Sequence, residues 1–232
     1  MSLDRTLLCT FETEYFDTSK EQSRQIQLYS PASITNSYEA KMVKYCAEAV
    51  SNRGTFLDIG AHLGFYSLPL SGRFDKCIAF EPSDFQFELL TKNIELNNIK
   101  NVIPLKLGLG ATEEEKVFYV TGNSGGTNTL LKNKFSESPM STYKIQVRAL
   151  DSFGYSNVNL IKIDVEGWEV EVLKGSLETI HKSSPYILIE VWEEPDRRRE
   201  VEQLLDKLNY EIKYCFTDFP ELGWASKRIK GN

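Results

Sequence analysis

The segment 54–67, with the sequence GTFLDIGAHLGFYS, constrains the fold of this chain more than any other. Apolar residues surround Asp58, and a turn containing Gly60 and Gly64 then leads into a second apolar run. This order is typical of a buried strand that enters a helix through a tight turn. Such a turn lets a ligand lie against bare backbone, and the following helix directs its unpaired N–H groups towards that ligand. The segment therefore predicts a ligand-binding strand, turn and helix.

The composition is typical of a globular protein without a membrane span. Hydrophobic residues make up 41% and charged residues 26% of the 232 residues, and the net charge of −6 argues against a general nucleic-acid binder. Cys9, Cys46, Cys77 and Cys215 form no CxxC pair, so they indicate neither a zinc site nor a disulfide framework. Without a signal-like segment or an apolar run near 18 residues, we expect a cytoplasmic protein with free thiols.

Strands and helices alternate along most of the chain, which predicts a parallel sheet with right-handed crossovers. The predicted strands are 55–59, 77–82, 101–110, 160–163, 186–194, 210–216 and 224–229, the last two forming an antiparallel hairpin. The predicted helices are 37–50, 85–97, 168–181 and 195–208, with Gly175 weakening or ending the third of these.

We expect one domain over residues 1–232. Its N-terminal arm, 1–35, is either a short strand pair or an irregular covering segment, and its Rossmann-like core covers 36–110 and 151–232. Residues 111–150 interrupt the alternation with two antiparallel strands around a polar, glycine-rich stretch. A loop of this length in a compact domain is either functional or a disordered surface tip.

Acidic residues and glycines recur where the predicted strands end. In an open parallel sheet the ligand lies outside the carboxyl ends of the strands, near the point where the strand order reverses. Five strands thus deliver carboxylate or glycine to one rim, which predicts a binding site there. The residues concerned are Asp58, Gly60, Glu81, Gly108, Asp164 and Glu190.

The glycine turn distinguishes between two nucleotide ligands. A dinucleotide site requires GxGxxG, in which the second glycine admits a pyrophosphate, whereas this turn reads GxxxG with His62 at that position. S-adenosylmethionine has no phosphate, and it needs a bare turn, an acid for its amino group and an acid for its ribose diol. Glu81, about 20 residues after the turn, suits the diol because a carboxylate accepts two hydrogen bonds.

The motifs LDIGAHLGFYS, AFEPS, NLIKIDVEGWEVEVLKG and YILIEVWEE resemble the FkbM-type S-adenosylmethionine-dependent methyltransferases in order and spacing, over roughly residues 37–194. The resemblance implies a class I methyltransferase fold, an α/β Rossmann-like sheet of seven strands with the last antiparallel and helices on both faces. It also implies methylation of hydroxyl groups on sugars or natural products. The chain departs from the family at His62, where the family usually has Asn.

The resemblance also implies the roles of individual residues. Asp58, Gly60, Ala61 and Gly64 would line the methionine end of the cofactor, Glu81 would hold the ribose, and Asp164 and Glu166 would face the transfer site. The remaining expected cofactor contacts are Tyr38, Glu39, His62, Pro82, Ser83 and Gly108, with Tyr38 and Glu39 closing over the cofactor.

Transfer to an alcohol needs positioning and a base that takes the hydroxyl proton. The candidate bases are Asp164, Glu166, Glu190 and His62, and we favour Asp164 with Glu166 on the turn after the fourth strand. Glu166 would otherwise cap the following helix, and His62 would otherwise be a loop residue packed near the cofactor.

Three further features have two interpretations each. Asp164 with Glu190 or Glu193 would suit Mg²⁺, and because no third ligand is evident the metal is left open. Trp168 and Trp192 would stack on a sugar ring or belong to the core. The arginines at 197–199 would form a solvated helix face or contact an acidic substrate, and adjacent helical residues do not point the same way.

The sequence thus predicts an S-adenosylmethionine-dependent O-methyltransferase acting on a sugar, a glycan or a natural product. The alternatives are an NAD-dependent oxidoreductase, a non-catalytic scaffold subunit with a methyltransferase fold, and an enzyme acting on RNA. An intact set of rim carboxylates argues against the scaffold, and the acidic balance argues against RNA.

Overall fold

The computed structural model describes residues 7–17, 22–30, 38–121, 127–132, 139–191, 195–214 and 222–228. The strands are β1 (Leu7–Asp17), β2 (Gln22–Ser30), β3 (Thr55–Ile59), β4 (Lys76–Phe80), β5 (Val102–Leu105), β6 (Gly108–Leu109), β7 (Glu114–Val120), β8 (Ser141–Arg148), β9 (Val158–Ile163), β10 (Tyr186–Glu190), β11 (Tyr210–Lys213) and β12 (Leu222–Lys227). The helices are α1 (Tyr38–Ala49), α2 (Ser67–Leu70), α3 (Asp84–Leu96), α4 (Glu169–Lys174), α5 (Leu177–Ser183) and α6 (Pro195–Lys207), with a short 3-10 helix at Leu150–Phe153.

Seven strands form the central sheet, in the order β11-β12-β10-β9-β3-β4-β5. Strand β3 lies between β9 and β4 and is parallel to both, whereas β12 is antiparallel to β10 and β11. The predicted seven-stranded sheet with an antiparallel last strand is therefore confirmed.

Both faces of the sheet are covered, which explains why its central strands are almost wholly apolar. Side chains alternate along β3, so Phe56 belongs to the core beneath α1, α2 and α3, while Leu57 and Ile59 belong to the core beneath α4, α5 and α6. Asp58 follows the same alternation and is fully buried on the α1 side.

The central parallel strands end level with one another. Ile59 at the end of β3 pairs with Phe80 of β4 and with Ile163 of β9, and Ile163 pairs with Ile189 of β10. The residues that follow these positions therefore lie along one rim of the sheet. They are Gly60, Glu81, Asp164 and Glu190.

The predicted third strand, 101–110, is wrong as a single element. Strand β5 ends at Leu105, and Gly108–Leu109 pairs instead with β8 in a separate sheet of order β6-β8-β7. A Cβ at Gly108 would lie 3.1 Å from Ile145 Cδ1, so a glycine allows this close pairing. The two antiparallel strands predicted within the insertion are confirmed as β7 and β8.

Two predicted helices differ from the observed ones. The predicted helix 168–181 is two helices, because α4 ends at Gly175, where a Cβ would lie 1.9 Å from the carbonyl oxygen of Gly110. The helix after the Gly60 turn is four residues long and starts at Ser67. The predicted N-cap of α1 at residues 36–37 lies outside the described residues.

The N-terminal segment is a strand pair, one of the two predicted alternatives. Strands β1 and β2 pair antiparallel, and Ile26 and Leu28 of β2 are buried in the core on the α1 side of the sheet. Within the described ranges, no helix has both the length and the apolar character that a membrane crossing requires.

We expect Gly60→Ala to lower the free energy of unfolding by roughly 3 kcal/mol or more. Gly60 has a φ of +80°, and a Cβ there would lie 1.8 Å from the carbonyl oxygen of Asp164. Gly154→Ala is the matched control, since Gly154 also has a positive φ (+64°) but no atom within 4 Å of its Cβ position. The control should lose only about 1 kcal/mol in urea unfolding; equal losses would show that the approach of the two turns has no energetic consequence.

Candidate active site

A cavity of about 220 Å³ lies at the carboxyl rim of the central sheet. Its floor is the turn after β3, its sides are the ends of β4, β9 and β10, and its outer wall comes from the insertion between β5 and β9. Nine of the residues predicted for the site line it. They are Gly60, Ala61, His62, Glu81, Pro82, Gly108, Asp164, Glu166 and Glu190.

The other predicted site residues do not line the cavity. Asp58 lies buried beneath the turn, Ser83 is buried and bonds through its hydroxyl to Gln86, and Gly64 packs against Leu68 and Leu90. Their roles are in holding the turn and the start of α3 in place. Tyr38 and Glu39 begin α1, and their side chains lie outside the described part of the structure.

The turn after β3 presents backbone to the cavity, as predicted. His62 has a φ of +51°, in the left-handed region where Asn, Asp and His are the favoured non-glycine residues. Its backbone N–H donates to Glu81 Oε2 at 2.8 Å, and its ring stacks on Phe65 with 5.8 Å between centroids. Position 62 therefore contributes a backbone donor, and a histidine is compatible with the conformation of this turn.

Glu81 is held by two backbone donors at the end of β4. One oxygen accepts the His62 N–H and the other accepts the Ser83 N–H at 2.9 Å, and the residue is 6% exposed. Burial raises the pKa of Glu81 to about 7, against the opposing effect of the two N–H donors. Each oxygen keeps a further lone pair for a ligand.

Asp58 uses its carboxylate to organise the start of α2. Its Oδ2 accepts the Ser67 N–H at 3.1 Å and also the Ser67 hydroxyl. The sequence predicted that the N–H groups at the start of this helix would face a ligand. At Ser67 the N–H instead donates to Asp58, a carboxylate of the protein itself. Burial raises the pKa of Asp58, whereas Lys162 and the two Ser67 donors favour its ionised form.

Lys162 is the site residue that the sequence analysis missed. It lies on β9 directly opposite Asp58, and only 6% of its side chain is exposed. Its Nζ donates to the Gly60 carbonyl at 2.8 Å, pairs with Asp164 Oδ2 at 3.1 Å and lies 3.8 Å from Asp58 Oδ1. It also lies 5.3 Å from the centre of the Tyr66 ring.

Lys162 is an ammonium ion in this setting. Burial by itself lowers the pKa of Lys162, but the charges of Asp164 and Asp58 outweigh it and the net shift is upward. The only sequence signal for this residue was a lysine in an otherwise apolar strand, IKI, since a charge at a buried strand position requires a partner.

The turn after β9 is held from three sides. Glu166 has a φ of +56°, and its carbonyl accepts the Thr129 hydroxyl at 2.7 Å. The Gly167 N–H donates to Glu169 at 2.7 Å, and the Gly167 carbonyl accepts from Arg197. Glu169 thus bonds the Gly167 N–H next to the start of α4, and Glu166 lines the cavity.

The arginines at 197–199 diverge, as the helical spacing predicted. Arg197 bonds to Gly167, Arg198 lies over the ring of Tyr214 at 4.2 Å, and Arg199 pairs with Asp196 on the surface. Arg197 therefore supports the turn after β9.

The outer wall of the cavity is mainly apolar. Phe118 of β7, Leu130 of the segment 127–132 and Trp168 line it, together with Asn128. The segment is tied to β7 by two backbone bonds between Thr129 and Tyr119, and Asn128 accepts the Thr121 N–H. Trp168 therefore lies at the cavity, while Trp192 lies outside the described residues.

The described carboxylates at the cavity do not form a site for a divalent cation. Within the described ranges, no three His, Cys, Asp or Glu side chains are arranged to hold a metal ion. The ammonium of Lys162 already pairs with Asp164 and lies near Asp58. Glu193, the other ligand considered, lies outside the described residues.

A sheet with this strand order, helices on both faces and a cavity at its carboxyl rim has the class I methyltransferase fold. The family profile described as "Methyltransferase FkbM domain" matches residues 58–212, more than half of the chain. The chain therefore belongs to the FkbM methyltransferase family.

Two curated relatives are similar over most of their length. Methyltransferase sdnD of Sordaria araneosa is 28% identical over 189 residues, which cover 67% of this chain and 73% of the relative. Hexuronic acid methyltransferase AglP of Haloferax volcanii is 28% identical over 178 residues, which cover 75% of this chain and 71% of the relative.

Solved structures share the fold at lower identity. Methyltransferase FkbM from Methylobacillus flagellatus KT superposes with a TM-score of 0.56 at 14% identity, covering 83% of this chain and 56% of that chain. A tRNA (uracil-54, C5)-methyltransferase of Pyrococcus abyssi gives 0.52 at 15% identity, covering 97% and 44%. The present chain thus spans just over half the length of the FkbM structure.

Replacing Glu81 should change how stability depends on pH. The unfolded side chain has its ordinary pKa of 4.5 and the folded one about 7, so the unfolded state loses its proton first as the pH rises. Wild-type protein should therefore lose about 3 kcal/mol relative to Glu81→Gln between pH 4.5 and pH 7. Urea unfolding across this range measures the difference. Glu88→Gln, on an exposed part of α3, should follow wild type; a Glu81→Gln curve parallel to wild type would contradict the prediction.

Removing the charge of Lys162 should destabilise the fold by about 3 to 5 kcal/mol, because Lys162→Met leaves Asp58 buried without a counter-ion. Lys174→Met is the matched control, since Lys174 pairs with Glu171 and Glu200 where both partners are partly exposed. The control should cost less than about 1 kcal/mol. Chemical denaturation of both variants tests the difference, and similar losses would mean that the buried pairing has no special weight.

Proposed function

We propose that this chain is an S-adenosylmethionine-dependent O-methyltransferase whose acceptor is a hydroxyl of a sugar, a glycan or a natural product. The observation that carries the proposal is the position of Glu81, a carboxylate that is bonded to the backbone of the turn and lines the cavity beside it. A ligand that fits both Glu81 and the turn has a diol for the carboxylate and, next to it, a part that lies against the backbone of the turn.

The residues at the rim fit this cofactor. Glu81 has lone pairs left for the two ribose hydroxyls, and Gly60 and Ala61 offer backbone to the methionine part. Asp164 and Glu190 place negative charge near the end of the turn, where it favours an amino group or a sulfonium. When bound, S-adenosylmethionine supplies the methyl group and a neutral thioether leaving group.

Asp164 is the proposed base for the acceptor hydroxyl. It lies on the turn after β9 with 29% of its side chain exposed, so it is open to the cavity while its Oδ2 stays paired with Lys162. The pair fixes the direction of the carboxylate, which leaves Oδ1 to take the proton. Glu166 and Glu190 lie around the same cavity and would bind other hydroxyls of the acceptor.

The lining favours an acceptor without negative charge. Four carboxylates line the cavity, at residues 81, 164, 166 and 190, and among the described lining residues Lys162 is the only lysine or arginine. Its ammonium is already bonded to Gly60 and Asp164. A neutral polyol therefore fits better than a phosphate or a carboxylate, and the same argument disfavours RNA. The relative named as a hexuronic acid methyltransferase supports a sugar acceptor, although a hexuronic acid itself carries a carboxylate, so the preference for a neutral sugar rests on the lining of this cavity alone.

Two other functions receive less support. An NAD-dependent oxidoreductase would bind a pyrophosphate at the turn, where the His62 N–H already donates to Glu81. A dinucleotide site also has a glycine two residues after the first one, and in this chain the side chain of His62 occupies that position. A non-catalytic scaffold would have no need for a cavity lined by several carboxylates beside the buried ammonium of Lys162.

Calorimetry with S-adenosylmethionine, S-adenosylhomocysteine and NAD tests the cofactor. We expect the two sulfur compounds to bind and NAD not to bind; binding of NAD alone would overturn the proposal. The acceptor is then sought by following S-adenosylhomocysteine release with a panel of neutral and carboxylated sugars.

Two variants separate binding from transfer. Glu81→Ala should weaken S-adenosylhomocysteine binding roughly 10- to 100-fold, because two charge-assisted hydrogen bonds are lost. Asp164→Ala should keep binding within a few-fold and lower turnover by roughly 100-fold or more. Asp75→Ala, in an exposed pair with Arg53, is the control and should change neither quantity. Full turnover in both site variants would show that the residue roles are wrong.

A further inference from the structure

Two asparagines hold the edge of β2 through their side-chain amides: Asn93 lies within α3, and Asn97 is the C-cap residue that follows it. The Tyr29 N–H donates to Asn93 Oδ1 at 2.6 Å, and Asn93 Nδ2 donates to the Tyr29 carbonyl at 3.3 Å. One helical turn later, the Gln27 N–H donates to Asn97 Oδ1 at 3.0 Å, and Asn97 Nδ2 donates to the Gln27 carbonyl at 2.7 Å. Each amide thus pairs with both backbone groups of one β2 residue, as a neighbouring strand would.

The spacing explains how a helix can serve as this edge partner. Four residues of helix rise about 6 Å, and two residues of strand rise about 7 Å. Asn93 and Asn97 therefore meet alternate residues of β2, Tyr29 and Gln27, in antiparallel order. The β1–β2 hairpin is docked on α3 by specific bonds as well as by the burial of Ile26 and Leu28.

Asn93 makes one bond that Asn97 does not. Its Nδ2 also donates to the carbonyl of Leu63 at 3.1 Å, within the turn after β3. Asn93 is fully buried and Leu63 is 1% exposed, so water does not replace this donor. The remaining bond of Asn97 goes to the Asn93 carbonyl within the same helix. The two residues therefore make the same pair of bonds to the hairpin. Asn93 makes them in a more buried position than Asn97, and of the two only Asn93 is bonded to the turn.

The Leu63 carbonyl directly follows the residue that meets Glu81. His62 has a positive φ, and its N–H donates to Glu81. A buried carbonyl without a donor is costly, so loss of the Asn93 bond would favour rotation of the peptide after Leu63. Such a rotation moves the His62 N–H relative to the Glu81 carboxylate at the cavity.

We propose that Asn93 is a positioning residue that couples docking of the β1–β2 hairpin to the shape of the cofactor turn. Asn93 does not line the cavity and acts through Leu63 and His62. The inference rests on the proposed use of S-adenosylmethionine. Because coupling between two sites is reciprocal, a ligand in the cavity must also tighten the hairpin.

Hydrogen exchange of the wild-type protein tests this reciprocity without any substitution. Adding saturating S-adenosylhomocysteine should slow exchange of the Gln27 amide at least threefold, although this amide bonds to Asn97 and not to the turn. Unchanged exchange at Gln27, with binding demonstrated by calorimetry, would overturn the inference.

The matched variants Asn93→Ala and Asn97→Ala test the specific contact. Both should loosen the hairpin, but Asn93→Ala should weaken S-adenosylhomocysteine binding about tenfold or more and abolish the ligand-induced slowing at Gln27. Asn97→Ala should change the affinity less than threefold. Asn93→Asp, which keeps the Oδ1 acceptor for Tyr29, serves as a second variant with the same expected loss of affinity. Equal affinities for the variants at 93 and 97 would contradict the role of Asn93. A wild-type protein that binds no S-adenosylhomocysteine would instead overturn the proposed function.

Discussion

The buried ammonium of Lys162 is the interaction on which the site depends. Strands β3 and β9 are neighbours in the sheet, and their register places Lys162 opposite Asp58. The lysine then extends to the rim, where it bonds to the Gly60 carbonyl and to Asp164. A buried charge without partners is strongly unfavourable, so these groups hold their positions together. One side chain thus connects the core of the sheet, the turn after β3 and the turn after β9.

The cavity has two sides of different origin. The sheet supplies its polar side, because four parallel strands end level and each ends at a carboxylate or is followed by a glycine or a carboxylate. The insertion supplies the apolar side through β7 and the segment 127–132, which is joined to the turn after β9 by the Thr129 to Glu166 bond. Substitutions in the insertion can therefore alter the apolar side of the cavity and leave intact the polar side, which holds the proposed cofactor contacts.

The histidine at position 62 has a simple physical account. The turn requires a left-handed backbone conformation there, which both Asn and His adopt more readily than most residues. The bond to Glu81 comes from the backbone N–H, so it does not depend on the side chain. Asn93 also acts on the backbone of this turn. Its amide donates to the carbonyl of Leu63, the next residue, from outside the cavity.

The sequence by itself determined the seven-stranded sheet, its antiparallel last strand and nine of the residues that line the cavity. These follow from local patterns, because apolar runs, turns and strand ends are set by neighbouring residues. The tertiary structure alone decided that Asp58 and Gly64 support the turn from below, that Gly108 joins a second sheet, and that Lys162 and Asn93 hold the turn in place. Lys162 reaches Gly60 across 102 positions of the chain and Asn93 reaches Leu63 across 30, so only the packed fold brings these groups within hydrogen-bonding distance.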